Sequence, residues 1–346
     1  MTGRFTRRAF LAGASAGAAG LAGCGGLIQR RGGEPDVLSD RPDGVYVPTH
    51  VEGMDMIGMP TETATYGVAL SFTYPHRFWL VRDGETTRVS PRDSADVHLM
   101  ATVWDLETGV VLPDPAPHIE VRKDSETVAA TTLWPMLSQP MGTHFGDNVA
   151  LDGDGSYELS VTLGPPTTPR LTGASYPERP ESFTAGFEFS GSRLETIDLR
   201  MLDDRAGEKG AVDPMAMETL PDLRAPAADT LPGTERGTAN AGDARLLARI
   251  LAPERAGTDA SYLAVSARTP HNRFPLPELS LSASAGGDDP VALTPAVDPA
   301  LGYHYGAEMP GAASEPLTLT PTAPPQITRH EGYETAFLSL PSSSLP

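Results

Sequence analysis

The chain is almost without cysteine: one thiol, Cys24, stands among 346 residues. A disulfide framework is excluded, so stability has to come from burial of apolar surface. Positive charge is also scarce, with 26 Lys and Arg against 45 Asp and Glu and a net charge of −19. Such a surface repels phosphate backbones, which excludes nucleic acid as a natural partner. It suits concentrated salt, where self-repulsion is screened over short distances, and a halophilic archaeal source is expected. No segment beyond the first residues approaches the length and apolarity of a transmembrane span. The G-x-S-x-G, H-E-x-x-H and phosphate-loop patterns are missing as well, and the chain is read as a binding protein rather than an enzyme.

What is present begins with an address. Thr6-Arg7-Arg8-Ala9-Phe10-Leu11 reads as a twin-arginine signal with Arg7 and Arg8 as its mark, followed by a short Ala/Gly run. Leu21-Ala22-Gly23-Cys24 has the form of a lipobox, in which cleavage leaves Cys24 as a lipidated N-terminus. The expected organisation is a signal at 1–23, a Gly/Pro-rich tether at 24–44, a metal-binding β-sandwich at 45–200, a flexible linker at 201–242, a second, degenerate sandwich at 243–340 and a frayed tail at 341–346. Short β-rich runs separated by Pro, Gly and Asp, with no helical periodicity over three turns, place the fold as all-β: two tandem Ig-like antiparallel β-sandwich domains.

Two stretches carry unusual chemistry. Asp96 to Trp104, DVHLMATVW, alternates so that Asp96, His98, Met100 and Thr102 share one face while Val97, Leu99, Ala101 and Val103 share the other, the core face. Leu133 to Gly155 packs Met136, Met141 and His144 among turn-forming residues. The framework of that turn returns near the C-terminus: Pro135 to His144 and Pro295 to His304 span the same step, and each His stands between a Gly and an aromatic-Gly pair. A tandem repeat follows. In the second copy Met136 and Met141 become Ala296 and Leu301, and the stretch around Tyr262 has no His.

Imidazole nitrogen and thioether sulfur together suit copper, above all Cu(I), so His98, Met136 and/or Met141, and His144 form a candidate metal site, with Asp96 and Met100 beside it. The plainer reading makes the methionines core fillers and the histidines turn caps. His76 and His271, each next to a Pro or in a Pro turn, read as exposed turn residues, and His50 and His118 lack a neighbouring ligand. Met54, Met56 and Met59 suggest a methionine lip, although strand alternation puts some of them in the core. The DGDG run at Asp152 to Gly155 is a hairpin turn rather than a calcium loop.

In this order, GMDM at Gly53 to Met56, DVHLM at Asp96 to Met100, the PM…HFGDNVAL run from Pro135 to Leu151 and SYELSVTLGPP at Ser156 to Pro166 resemble the periplasmic Fe2+ transport protein family over about residues 45–190. That family includes copper- and iron-binding Ig-like proteins and related metal-binding lipoproteins. The resemblance implies an Ig-like sandwich that dimerises, binds copper or another divalent metal through His and Met, and works beside a metal permease. Carried onto this chain, it implies His98, Met136 and His144 as ligands. Met100 stands where the family has Glu, and the family's Arg-His pair is absent from Arg170 to Tyr176. Arg329-His330 has that form in the second copy, so His304 and His330 are the candidates for a remnant site there.

The expected function is therefore a lipid-anchored, extracytoplasmic protein that binds copper or Fe(II) and assists iron or copper acquisition. A homodimer or an internal pseudo-dimer of the two copies is expected. The competing expectation is an adhesion or scaffold lipoprotein whose two sandwiches bind only other proteins.

Overall fold

Strands follow one another from His50 to Leu345, several of them on alternating or largely apolar runs. The computed structural model describes residues 35–345. Arg7, Arg8 and Cys24, and the signal and lipidation expectations with them, lie outside the described residues. Tyr66–Thr73 and Val97–Asp105 are buried along their whole length, their polar members Ser71, Thr73, His98, Thr102 and Asp105 included, because both faces of these strands are covered. The second of these is central, with Tyr66–Thr73 on one side (Thr73 opposite His98) and Gly142–Val149 on the other (Gly146 opposite Met100). A nine-stranded sheet built around them faces a four-stranded sheet of Glu181–Phe189, Gly155–Leu163, His118–Lys123 and Glu126–Thr132. Leu99, Val103 and Phe145 from the first meet Val121, Leu159 and Phe187 from the second, and each such side chain contributes about 1.5–3 kcal/mol by leaving water. The fold is all-β and sandwich-like, as the strand pattern indicates.

The second half forms an eight-stranded antiparallel sheet whose first and last strands, Thr234–Ala241 and Ser343–Leu345, come side by side, curling it toward a barrel. The described residues fall in one compact unit, and a single apolar cluster runs from Val45 through Phe145 and Tyr303 to Leu345. Within the expected linker, Thr234–Ala241 is a strand and Val212 is buried, its N–H donating to Gln139 Oε1 at 2.8 Å. The expected strand at Ala336 to Leu340 is a bend followed by irregular chain, and the tail supplies the last strand instead.

One connection matters most for the site. Thr328–Arg329, from the second half, inserts into the nine-stranded sheet, parallel to Trp134–Ser138 and antiparallel to Phe78–Arg82, in register Met136 to Thr328. Arg329 is fully buried there, donating to the carbonyls of Ile327 and Pro325, and burial lowers its pKa to about 9. The following residue, His330, is thereby carried to the face where Met136 and His144 lie.

Candidate metal centre

The stretch read as a turn is a hairpin. Trp134–Ser138 pairs with Gly142–Val149, which sets Met136 opposite His144. Gly142 closes the reversal at φ +66°, a conformation that favours glycine, and Ser138 Oγ accepts from Met141 N–H at 3.2 Å. His98 comes in from the adjacent strand across Gly146. A Cβ on Gly146 would lie 2.4 Å from His98 Nε2 and 3.1 Å from Met136 Sδ, so the absence of a side chain there is what lets ring and thioether approach.

Four imidazoles gather on this face. One nitrogen from each of His76, His98 and His330 lies within 4.8 Å of the others. The His76 and His98 rings are 4.0 Å apart between centroids, His76 and His330 are 4.9 Å apart, and His144 and His330 are 5.2 Å apart. His330 Nε2 stands 3.3 Å from Met136 Sδ. Of the residues singled out from sequence, His98, Met136 and His144 are thus brought together, while Met141 and Met100 line a cavity of about 80 Å³ that opens on His144 and His330.

The rings are aimed by what holds their outer nitrogens. His98 Nδ1 is 3.0 Å from Asn148 Oδ1, His144 Nδ1 is 3.0 Å from the Gly142 carbonyl, and His76 Nδ1 is 3.1 Å from Glu52 Oε2. Fixing Nδ1 in this way sets the tautomer and offers Nε2 to a common centre, the usual arrangement around a bound metal. The buried Nε2 atoms of His98 and His144 have no hydrogen-bond partner among the described residues. A buried nitrogen without a partner is costly, and a metal ion would satisfy it. Burial keeps these rings neutral: it lowers His144 to about 4, and with the neighbouring imidazoles it pushes His98 and His330 well below 6.5. Neutral imidazole is the form that ligates metal. Burial opposes ionisation of Glu52, but His76 and His50 outweigh it and hold that carboxyl down to about 2.

Several sequence expectations are corrected. Asp96 does not orient a ligand; its Oδ2 accepts from Leu151 N–H at 2.7 Å, and Asn148 has the role at His98 instead. His76 is no exposed turn residue but a buried member of the ring, because Asn148 grips its backbone on both sides, accepting from its N–H and donating to its carbonyl. His50 does find partners: its Nε2 lies 3.3 Å from Glu52 Oε1. The remnant pair His304 and His330 is divided. His330 belongs to the first ring, and His304 is buried elsewhere with its Nε2 3.3 Å from the Tyr262 hydroxyl. The Arg329-His330 dipeptide, expected in the second copy, thus places its His beside Met136 of the first. Only the form of that dipeptide could have revealed it.

An all-β protein with a buried imidazole and thioether centre is the class that fold and site define. Residues 57–176 match the Fe2+ transport protein family, and residues 229–346 match a domain of unknown function, DUF7350. His76, His98, Met136 and His144 lie in the first match and His330 in the second. The chain is 34% identical over 85 residues to UPF0423 proteins of Brucella abortus and Brucella suis, covering 22% of this chain and 46% of the relative. It spans about half the length of those relatives. Among solved structures, a copper-bound variant of Campylobacter jejuni P19 is similar at 21% identity and a TM-score of 0.31, covering 40% of this chain and 98% of that one. FetP of uropathogenic Escherichia coli strain F11 is similar at 20% identity and a TM-score of 0.31, covering 40% and 96%. Among the described residues, no helix is long and apolar enough to cross a membrane.

Proposed function

We propose that this protein binds a transition metal, Cu(I) by preference and Fe(II) as the second choice, in the ring of His76, His98, His144, His330 and Met136. The observation that carries this reading is the convergence of three imidazoles, those of buried His76 and His98 and half-buried His330, within 4.8 Å, with Met136 Sδ 3.3 Å from one of them. Neutral imidazoles and a thioether form a soft, uncharged donor set, which suits Cu(I) better than the oxygen-preferring divalent ions. The match of residues 57–176 to the Fe2+ transport family supports a role in metal acquisition rather than catalysis. In this reading the protein works outside the cytoplasm, held to the membrane by lipid on Cys24, and hands metal to a permease. Because the second half of the same chain supplies His330, the pseudo-dimer is internal and a monomer suffices for binding.

Titration of the full chain with Cu(I), Cu(II), Fe(II) and Zn(II), repeated on His98→Ala and His330→Ala, tests this. Loss of a ligand is expected to weaken Cu(I) binding by more than the roughly 10- to 100-fold that loss of an orienting partner costs. Equal binding by all three proteins would sink the proposal.

A further inference from the structure

The cavity beside the ring has a composition that the ring does not explain. Four of the chain's 11 methionines, Met54, Met100, Met141 and Met215, line it. Met100 and Met141 are buried and Met54 and Met215 partly so, yet none of the four is in any of the three apolar clusters, where the methionine present is Met309. They come from four separate parts of the chain. Met215 arrives on the segment between the two halves, held by its N–H donating to the Pro140 carbonyl at 2.8 Å and by Asn272 Nδ2 donating to the Val212 carbonyl at 2.9 Å. Met54 follows Gly53, whose N–H donates to the Asp198 carbonyl at 2.7 Å and whose own carbonyl accepts from Thr73 Oγ1 at 2.8 Å. Met54 and Met215 both lie outside the segment that matches the Fe2+ transport family.

The same cavity also has carboxylates, but these are engaged by the protein. Glu52 is held by His50 and His76, and Glu331 accepts from Thr49 N–H at 3.1 Å and Thr49 Oγ1 at 2.9 Å, with Arg77 Nη2 at 3.2 Å. The thioethers are the donors left to face a guest. Thioether sulfur is a soft, neutral ligand that holds Cu(I) or Ag(I) and discriminates against Ca²⁺, Mg²⁺ and Fe(II).

We propose that Met54, Met141 and Met215 form a second binding position for a soft monovalent cation of the Cu(I) class at the mouth of the histidine ring. It rests on the reading of the ring as a metal centre. An ion held there by exchangeable thioethers sits next to His144 and His330, which line the same cavity, and passes to the ring by ligand exchange with no change of oxidation state.

Silver(I), which does not cycle its oxidation state, is the probe. The full chain carrying Cys24→Ser, so that the lone thiol takes no silver, is titrated and its bound ions counted by native mass spectrometry. Two Ag(I) are expected. Met54→Leu/Met215→Leu, which keeps side-chain volume, is expected to leave the first ion unchanged and weaken the second at least about tenfold. His98→Ala/His144→Ala is expected to lose the tighter ion and keep the weaker one. A parent that takes one ion, or a methionine variant with undiminished binding of two, overturns the second position and leaves the ring intact. Two ions kept undiminished by the histidine variant would overturn the ring, and the relay with it. Unchanged circular dichroism and melting temperature in the methionine variant exclude misfolding as the cause.

Discussion

The hairpin that carries His144 and the hairpin that carries His304 are the same device put to two uses. In each, the His faces a residue of the preceding strand, Met136 in one and Ala296 in the other, and its Nδ1 is held by the carbonyl of the turn glycine, Gly142 at 3.0 Å or Gly302 at 3.1 Å. Both turn glycines have positive φ, +66° and +69°. In each, a glycine two residues on, Gly146 or Gly306, lies opposite the neighbouring strand at Met100 or Ala264. Counting two residues back along those strands puts His98 and Tyr262 at equivalent places. The difference is then plain: where the first copy brings in a second imidazole, the second copy brings in a phenol whose hydroxyl closes off His304 Nε2 at 3.3 Å. One scaffold leaves its imidazole nitrogen open to a guest, and the other plugs it with a side chain. The scaffold holds the shape, and the second copy lacks donors of the first, with Tyr262, Ala296 and Leu301 at the positions of His98, Met136 and Met141.

The glycines offer the sharpest way to break the comparison. In Gly146→Ala, the new Cβ falls between His98 and Met136 and is expected to lower Cu(I) affinity by more than about 100-fold. In Gly306→Ala the Cβ would lie 2.2 Å from the Tyr262 hydroxyl, and the expected result is a loss of about 1–3 kcal/mol of stability with metal binding unchanged. Isothermal titration and thermal melts of both variants check the pair; a metal defect in the second alone would reverse the assignment.

A smaller effect is expected from rebuilding the plugged copy. Tyr262→His with Ala296→Met gives it two imidazoles and a thioether, and one additional, weaker copper equivalent is expected in equilibrium dialysis. No change in stoichiometry would mean that the neighbours contributed by His76 and His330 are indispensable.

The smallest effect concerns protons, where the two copies should agree. Burial lowers both His144 and His304 to about 4, below the unfolded value near 6.5. Between those limits the unfolded chain binds more protons than the native one, so stability is complete above about pH 6.5 and is lost as pH falls toward 4. Replacing His304 with Gln is expected to flatten the metal-free stability curve near pH 5 by up to about 1.4 kcal/mol per pH unit, the contribution of one proton. Urea unfolding at several pH values measures this, and an unaltered slope would rule it out.

What could be read in advance was local. The alternation in DVHLMATVW separates His98 and Met100 from Val97 and Leu99, and the repeated Gly-x-His-aromatic-Gly locates both hairpins. His76 and His330 were not legible as ring members, because their placement depends on contacts far along the chain. His76 is set by Asn148, 72 positions away, and His330 by a two-residue strand that no periodicity can reveal. The strand Thr234–Ala241 was hidden for another reason. Its sequence, TERGTANA, is polar and glycine-bearing because it lies at the end of its sheet, where few of its side chains are buried.

The short insertion of Thr328–Arg329 has a consequence for how the molecule comes apart. Met136 and His330 are 194 positions distant, so the ring is among the last contacts a folding chain can close and cannot form while either half is unfolded. An ion bound there recognises only the finished protein, and its stabilisation of RT ln(1 + [L]/Kd) falls on both halves together. Metal would then act as a clasp, drawing the melting of the sandwich and of the curled sheet into a single transition.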